Sequence, residues 1–227
     1  MRDNYLKKLE QMQKELFEMG MLCEEAIQKT YRLLVSEHER EELVKAIDVL
    51  EREIDAKERR IEADCIQLFL QQQPVASDLR LISSALKMIT DLERIGDHAT
   101  DIAEILETGS IKVPAKDIDL AKMAEIAMDM INRSVESYVQ KDLEMAREVI
   151  DRDDVLDELF INVRKEISRC SAEKIYTNDQ TLDLLMIAKY YERLGDHATN
   201  VAEWVEFSLT GKHRSGKEVN DVFAVLQ

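Results

Sequence analysis

Apolar residues recur every three or four positions from about Asp3 to Val35, at Leu6, Leu9, Met12, Leu16, Met19, Cys23, Ile27, Tyr31 and Leu34. That is the spacing of one long amphipathic helix. Ser36 and Glu39 then form an S-x-x-E capping box, which predicts that the chain restarts as a second helix. It is read through Leu43, Ala46, Leu50, Ile54, Ile61 and Leu68 to the QQQP stretch, where Pro74 stops it. A third helix begins near Ser77 or Asp78 and ends among Thr108, Gly109, Ser110 and Pro114. The second half repeats the plan. One helix runs from about Asp117 to Gln140, the next follows a break at Lys141 and Asp142 and runs from Leu143 to about Ile175, and the last opens on a Thr177/Gln180 capping box and closes at Thr210 and Gly211. A tail with a short apolar run, Val219 to Leu226, follows. No segment keeps a period of two, so the expected fold is all-α, with tandem three-helix units over residues 1–112 and 113–227.

The clearest internal repeat is ERIGDHATDIAE at Glu93 to Glu104, which returns as ERLGDHATNVAE at Glu192 to Glu203. Glu93, Asp97 and Asp101 are spaced i, i+4, i+8. On a helix they drift by only about 80° and form one acidic stripe, as do Glu192, Asp196 and Asn200. Each preceding helix carries a further acidic pair four apart, Glu51 and Asp55 in the first half and Asp153 and Asp157 in the second. Antiparallel neighbours would set the pairs face to face. Like charges four apart cost a few tenths of a kcal/mol each, so a duplicated stripe suits a cation; a solvated acidic face is the competing reading.

Composition narrows the chemistry. Two prolines, six glycines and few aromatics suit long helices. Forty-seven acidic against thirty-one basic residues give a net charge of −16, which opposes a nucleic-acid partner. No window is apolar enough for a membrane span and MRDNYLKKLEQ has no signal-peptide core, so the expected location is cytoplasmic. Cys23, Cys65 and Cys170 are scattered and odd in number, and read as buried thiols.

Carboxylates without His or Cys at ligand spacing make a hard oxygen site, suited to Fe(III), Mg, Mn or Ca better than to Cu or structural Zn. The stripe lies on the border between the buried and wet faces, where a bound metal would keep positions open for water or an anion such as phosphate. His98 and His197 point about 100° from the adjacent aspartates and read as hydrogen-bonding or interhelix residues. Arg94 and Arg193 would hold the carboxylates or form simple salt bridges. Gly96 and Gly195, unfavourable inside helices by about 1 kcal/mol against Ala, imply close helix approach or room for a cluster. Trp204 and the methionines read as core. Di-iron bundles need Glu-x-x-His, HD-type hydrolases need adjacent His-Asp, and this chain has neither; nor has it a phosphate-cradling loop or nucleophile elbow, so no enzymatic activity is expected.

The duplicated ERIGDHATDIAE and ERLGDHATNVAE, the pairs Glu51/Asp55 and Asp153/Asp157, and QQPVASDLR at Gln72 to Arg80 together resemble the PhoU family of phosphate-transport accessory and phosphate-signalling regulators. The resemblance extends to about Gly211. It implies two similar three-helix bundles, a homodimer, and carboxylate-bound metal clusters, Fe(III) foremost, with Mg, Mn or Zn as other ions. It also implies negative regulation of the phosphate-starvation response, through the phosphate ABC transporter ATPase and a membrane sensor histidine kinase. The ligands implied are Glu51, Asp55, Glu93, Asp97 and Asp101, and Asp153, Asp157, Glu192, Asp196 and Asn200. Asn200 stands where the first half has Asp101, so the second site is expected to be the less charged.

Overall fold

Met12, Leu16, Met19, Cys23, Ile27 and Leu34 are all buried, so the apolar stripe of the first helix does face a core; Leu6, its first member, stays 43% exposed. The computed structural model describes residues 2–36, 38–71, 76–109, 111 and 118–212. Six helices occupy them: α1 (Arg2–Val35), α2 (Arg40–Gln71), α3 (Ala76–Thr108), α4 (Leu120–Gln140), α5 (Leu143–Ala172) and α6 (Asn178–Thr210). Among the described residues there is no strand. Pro74, Ser110, Pro114, the boundary between residues 112 and 113, and the apolar run Val219 to Leu226 lie outside the described residues.

Local chemistry sets the ends. At Thr177 the capping box forms as the sequence predicts: its hydroxyl accepts from the Gln180 amide and the Gln180 side chain accepts from the Thr177 amide. The Asp142 carboxylate caps α5 by accepting from the Glu144 and Met145 amides, and Lys141, in a left-handed conformation, closes α4. The box expected at Ser36 does not form. The Ser36 hydroxyl accepts from the His38 amide, and Glu39 adopts φ 60 and pairs with Arg32, so it is not the helical third residue that a capping box requires. Helix α2 therefore starts later, at Arg40.

Helix α2 packs on α1 and α3, and α5 packs on α4 and α6; the halves meet where α3 lies along α6 and α1 along α4. One apolar cluster, with members from all six helices, runs through both halves. Gly20 marks the α1–α4 approach, for a Cβ there would sit 2.7 to 3.0 Å from the side-chain carbons of Val135. Buried Tyr191 joins the halves by a polar contact as well. The Thr30 hydroxyl donates to the Ile27 carbonyl, so the Tyr191 hydroxyl, 2.9 Å away, donates to Thr30. Cys23, Cys65 and Cys170 are free and buried, as expected. Burial raises the Cys65 thiol to about 12 and takes it out of thiolate chemistry at neutral pH.

Candidate metal centres

Where α2 crosses α3, the carboxylates of the two helices face one another. Burial raises the pKa of Glu51, and so do the charges of Asp55 and Asp97. Glu93 is raised by burial first, then by Asp97, Glu58 and Asp55, with Arg94 opposing. The mutual influence brings Glu51, Asp55, Glu93 and Asp97 together as one group, and adds Glu58, itself raised by burial and by Asp55. Arg94 leans on this group: its Nη1 is 2.9 Å from Asp97 Oδ2 and its Nε 3.5 Å from Glu93 Oε2. Gly96 sets the approach of the helices, since a Cβ there would meet Ile54 at 3.1 Å.

The α5–α6 crossing repeats the arrangement. Asp153 is raised from its ordinary 3.8 to about 6, by burial and then by the charges of Asp196 and Asp157. Asp157 is raised by burial and Glu192, and Asp196 by burial, Glu192 and Asp157, with Lys189 opposing both. Lys189 ion-pairs with Glu192 and lies 5.5 Å from the centre of the Phe160 ring. A Cβ on Gly195 would collide with Leu156 Cδ2 and reach Asp153 Oδ1 at 3.5 Å. The close helix approach expected of these glycines holds at Gly195, which also stands beside the Asp153 carboxylate.

Asp101 and Asn200 do not join these groups. They lie on the α3–α6 seam, where His98 Nδ1 is 3.3 Å from Asp101 Oδ2 and Tyr190 hydrogen-bonds to Asp101. On the other side Asp91 Oδ1 accepts from Asn200 Nδ2 at 3.0 Å and lies 2.9 Å from His197 Nδ1. The two histidine rings, repeat-equivalent, are 5.5 Å apart at the middle of the seam. Both are hydrogen-bonding residues on an interhelix seam: His197 bonds across to Asp91 of α3, whereas His98 bonds Asp101 of its own helix and meets α6 through its ring, 5.2 Å from that of Tyr190. Arg193 is in electrostatic reach of His98 and Tyr190, so it serves the seam, unlike its counterpart Arg94.

Each crossing therefore offers four or more oxygen-donor side chains whose ionised forms repel one another, a donor set that fits a hard multivalent cation. Among the described residues no three His, Cys, Asp or Glu groups are already drawn in to the spacing of a bound ion. Closing on one would require rotation of these partly exposed side chains. Glu58 and Lys189 are the participants that sequence comparison of the halves missed. Glu58 continues the Glu51/Asp55 row by three residues, but Phe160 replaces it in the second half; Lys189 stands three before Glu192, where the first half has Thr90.

The PhoU domain model matches residues 16–106 and again 120–205. The phosphate-specific transport system accessory protein PhoU homolog of Clostridium acetobutylicum is 36% identical over 211 residues, covering 90% of this chain and 93% of that one. The homolog of the same name in Synechocystis is 33% identical over 212 residues, 93% of each chain. The crystal structure of PhoU from Pseudomonas aeruginosa superimposes with a TM-score of 0.83 at 26% identity, over 92% of this chain and 100% of that one. With the family domain matched twice along one all-helical chain, and relatives of this identity over nearly its whole length, the chain belongs to the PhoU family.

Proposed function

We propose that the protein is a non-catalytic regulatory adaptor of phosphate transport, a negative regulator of the phosphate-starvation response whose two carboxylate clusters hold metal ions. The relatives' role as phosphate-specific transport accessory proteins supports the first half of this reading. The observation that carries the second is the repetition of a partly buried, mutually repelling carboxylate group at two equivalent crossings. Glu51, Asp55, Glu93 and Asp97 would hold one cation site, with Glu58 beside them, and Asp153, Asp157, Glu192 and Asp196 the other. Fe(III) is the first candidate, followed by Mg, Mn or Zn, and phosphate would take an open position on the bound ion. No described helix is long and apolar enough to cross a membrane, which is compatible with a cytoplasmic homodimer that meets the transporter ATPase and a sensor histidine kinase at the membrane.

Two measurements test the reading. Elemental analysis of the purified protein should find bound metal. Adding Fe(III) or Mn to chelator-treated protein should raise its melting temperature, by about 2.7 kcal/mol of stability at a hundredfold excess over Kd. Arg94 and Lys189, already seated on the clusters, favour the competing reading of a metal-free scaffold; no bound metal and an unmoved melting point would decide for it. For the regulatory claim, cells lacking the protein should take up phosphate faster in phosphate-rich medium. Unchanged uptake there would remove the claim of negative regulation.

A further inference from the structure

Away from the carboxylate clusters, α1 and α2 enclose a groove of about 720 Å³. Its apolar lining comes from Phe17, Met21 and Leu22 of α1, with Met21 left 52% exposed. Carboxylates surround it: Glu18, Glu24 and Glu25 from α1 and Glu53 from α2. Lys57 also lines it but is taken up by Glu15 and Glu18, and Lys29 pairs with Glu25 at 3.0 Å. Among the described residues no cation pairs with Glu24 or Glu53. The groove is thus apolar between two carboxylates that lack counter-charges, on a chain of net charge −16.

We infer that this groove is a docking site for a basic amphipathic helix of a protein partner. Phe17, Met21, Glu24 and Gln28 follow one another by single helical turns, so the lined stretch is about 16 Å long at 1.5 Å per residue, room for three turns of a partner helix. Apolar anchors spaced i, i+4 on that helix match the spacing of Phe17 and Met21, with a basic residue one turn on to meet Glu24, the usual geometry of a helix laid in a groove. Methionine adapts its shape to the anchor it receives. Lysine or arginine on the flanks of the incoming helix would meet Glu24 and Glu53, which selects for a basic sequence and against an acidic one. The clusters need no metal for this, so the site is separate from the cation reading.

The probe is a fluorescein-labelled helical peptide of about 16 residues, with leucines at i and i+4, a lysine one turn on and lysines on the flanks. Binding is read by anisotropy at about 0.15 M salt, where long-range attraction is screened. Glu24→Lys/Glu53→Lys should weaken binding at least about tenfold, whereas Glu125→Lys/Glu144→Lys, an equal charge change on α4 and α5, should alter it by less than about threefold. Met21→Ser, which changes no charge, should also weaken it, and the peptide should slow amide exchange in α2 and α1 around the groove. All these positions but Glu24, which is partly exposed, are exposed or close to it, and thermal melts check that each variant is folded. Equal weakening by both charge pairs, or protection elsewhere in the chain, would overturn the inference. So would a second copy as occupant, seen as a dimer in sedimentation that Glu24→Lys/Glu53→Lys converts to monomer.

Discussion

Asp153→Asn is expected to raise the melting temperature of chelator-treated protein at neutral pH, although it removes a charge from a candidate site. The folded protein lifts this carboxyl from 3.8 to about 6, so between those values the folded state holds a proton that the unfolded chain has released, and at neutral pH it carries a charge in an unfavourable place. For an acid raised in this way, stability falls as pH climbs through that window and the full penalty is present above it. Because the group is only partly buried, the penalty is discounted to about 1–2 kcal/mol, worth roughly 3–6 °C in a chain of this size. Relative to the variant, the wild-type protein without cation should therefore gain stability as pH falls from about 7 to 5, and the difference between the two profiles is the readout. His98 opposes within this window in both proteins, because burial lowers its pKa from 6.5 and the unfolded chain takes up that proton first; Glu15 opposes at lower pH, since burial pushes it up but Lys57, Gln11 and Arg60 outweigh burial and hold it below its ordinary 4.5. With Fe(III) present the sign should reverse, since the variant loses a ligand. A variant that melts lower than wild type without cation would show that Asp153 contributes stability in its charged form, and the account of a strained carboxylate group would fail.

The second large effect concerns the spacing of α5 and α6. Leu156→Ala should cost about 2–5 kcal/mol, as for other fully buried leucines. Gly195→Ala should cost about 1–3 kcal/mol through overpacking, less the small helix-propensity gain of alanine. Leu156 is fully buried and its Cδ2 occupies the place a Cβ on Gly195 would need. In the double variant the new methyl enters space that the leucine has vacated, so the combined loss should be smaller than the sum by more than about 1 kcal/mol. Urea unfolding of the four proteins measures this. Strict additivity would mean that the helices part freely at this crossing and that Gly195 does not set their distance. Gly195→Ala should also weaken any metal binding at the second cluster, because Asp153 lies against the same Cβ position.

The helices were legible because their stripes are long and regular: one face of α1 carries its core residues in unbroken succession, and Thr177 with Gln180 marks the start of α6 without ambiguity. Ser36 and Glu39 present the same pattern, yet Glu39 turns into the left-handed region and bonds Arg32. Nothing in four residues can report that competition. The carboxylate groups were legible for a different reason, namely that the i, i+4 pairs occur twice on neighbouring helices. Their i, i+4, i+8 spacing sets Asp101 and Asn200 on the same row, one turn further on. The accumulated rotation instead carries them to α6 and α3, where His98, Tyr190 and Asp91 claim them. Glu58 is not legible from the repeat because Phe160 stands at its equivalent position in the second half.

In a symmetric pair of identical subunits, whatever stands on one side of the axis must stand on the other. The α3–α6 seam keeps that form at its centre, where His98 meets His197, and abandons it one turn away. Asp91 takes two hydrogen-bonding partners from α6, while its equivalent, Tyr190, takes Asp101 from α3. Covalent joining of the halves is what permits such divergence: each side can be altered alone without the change being imposed twice. The two carboxylate clusters inherit the same freedom, since Glu58 and Lys189 have no counterpart in the other half; if both hold cations as proposed, the two sites would differ in charge and affinity and together span a wider range of cation concentration than either alone.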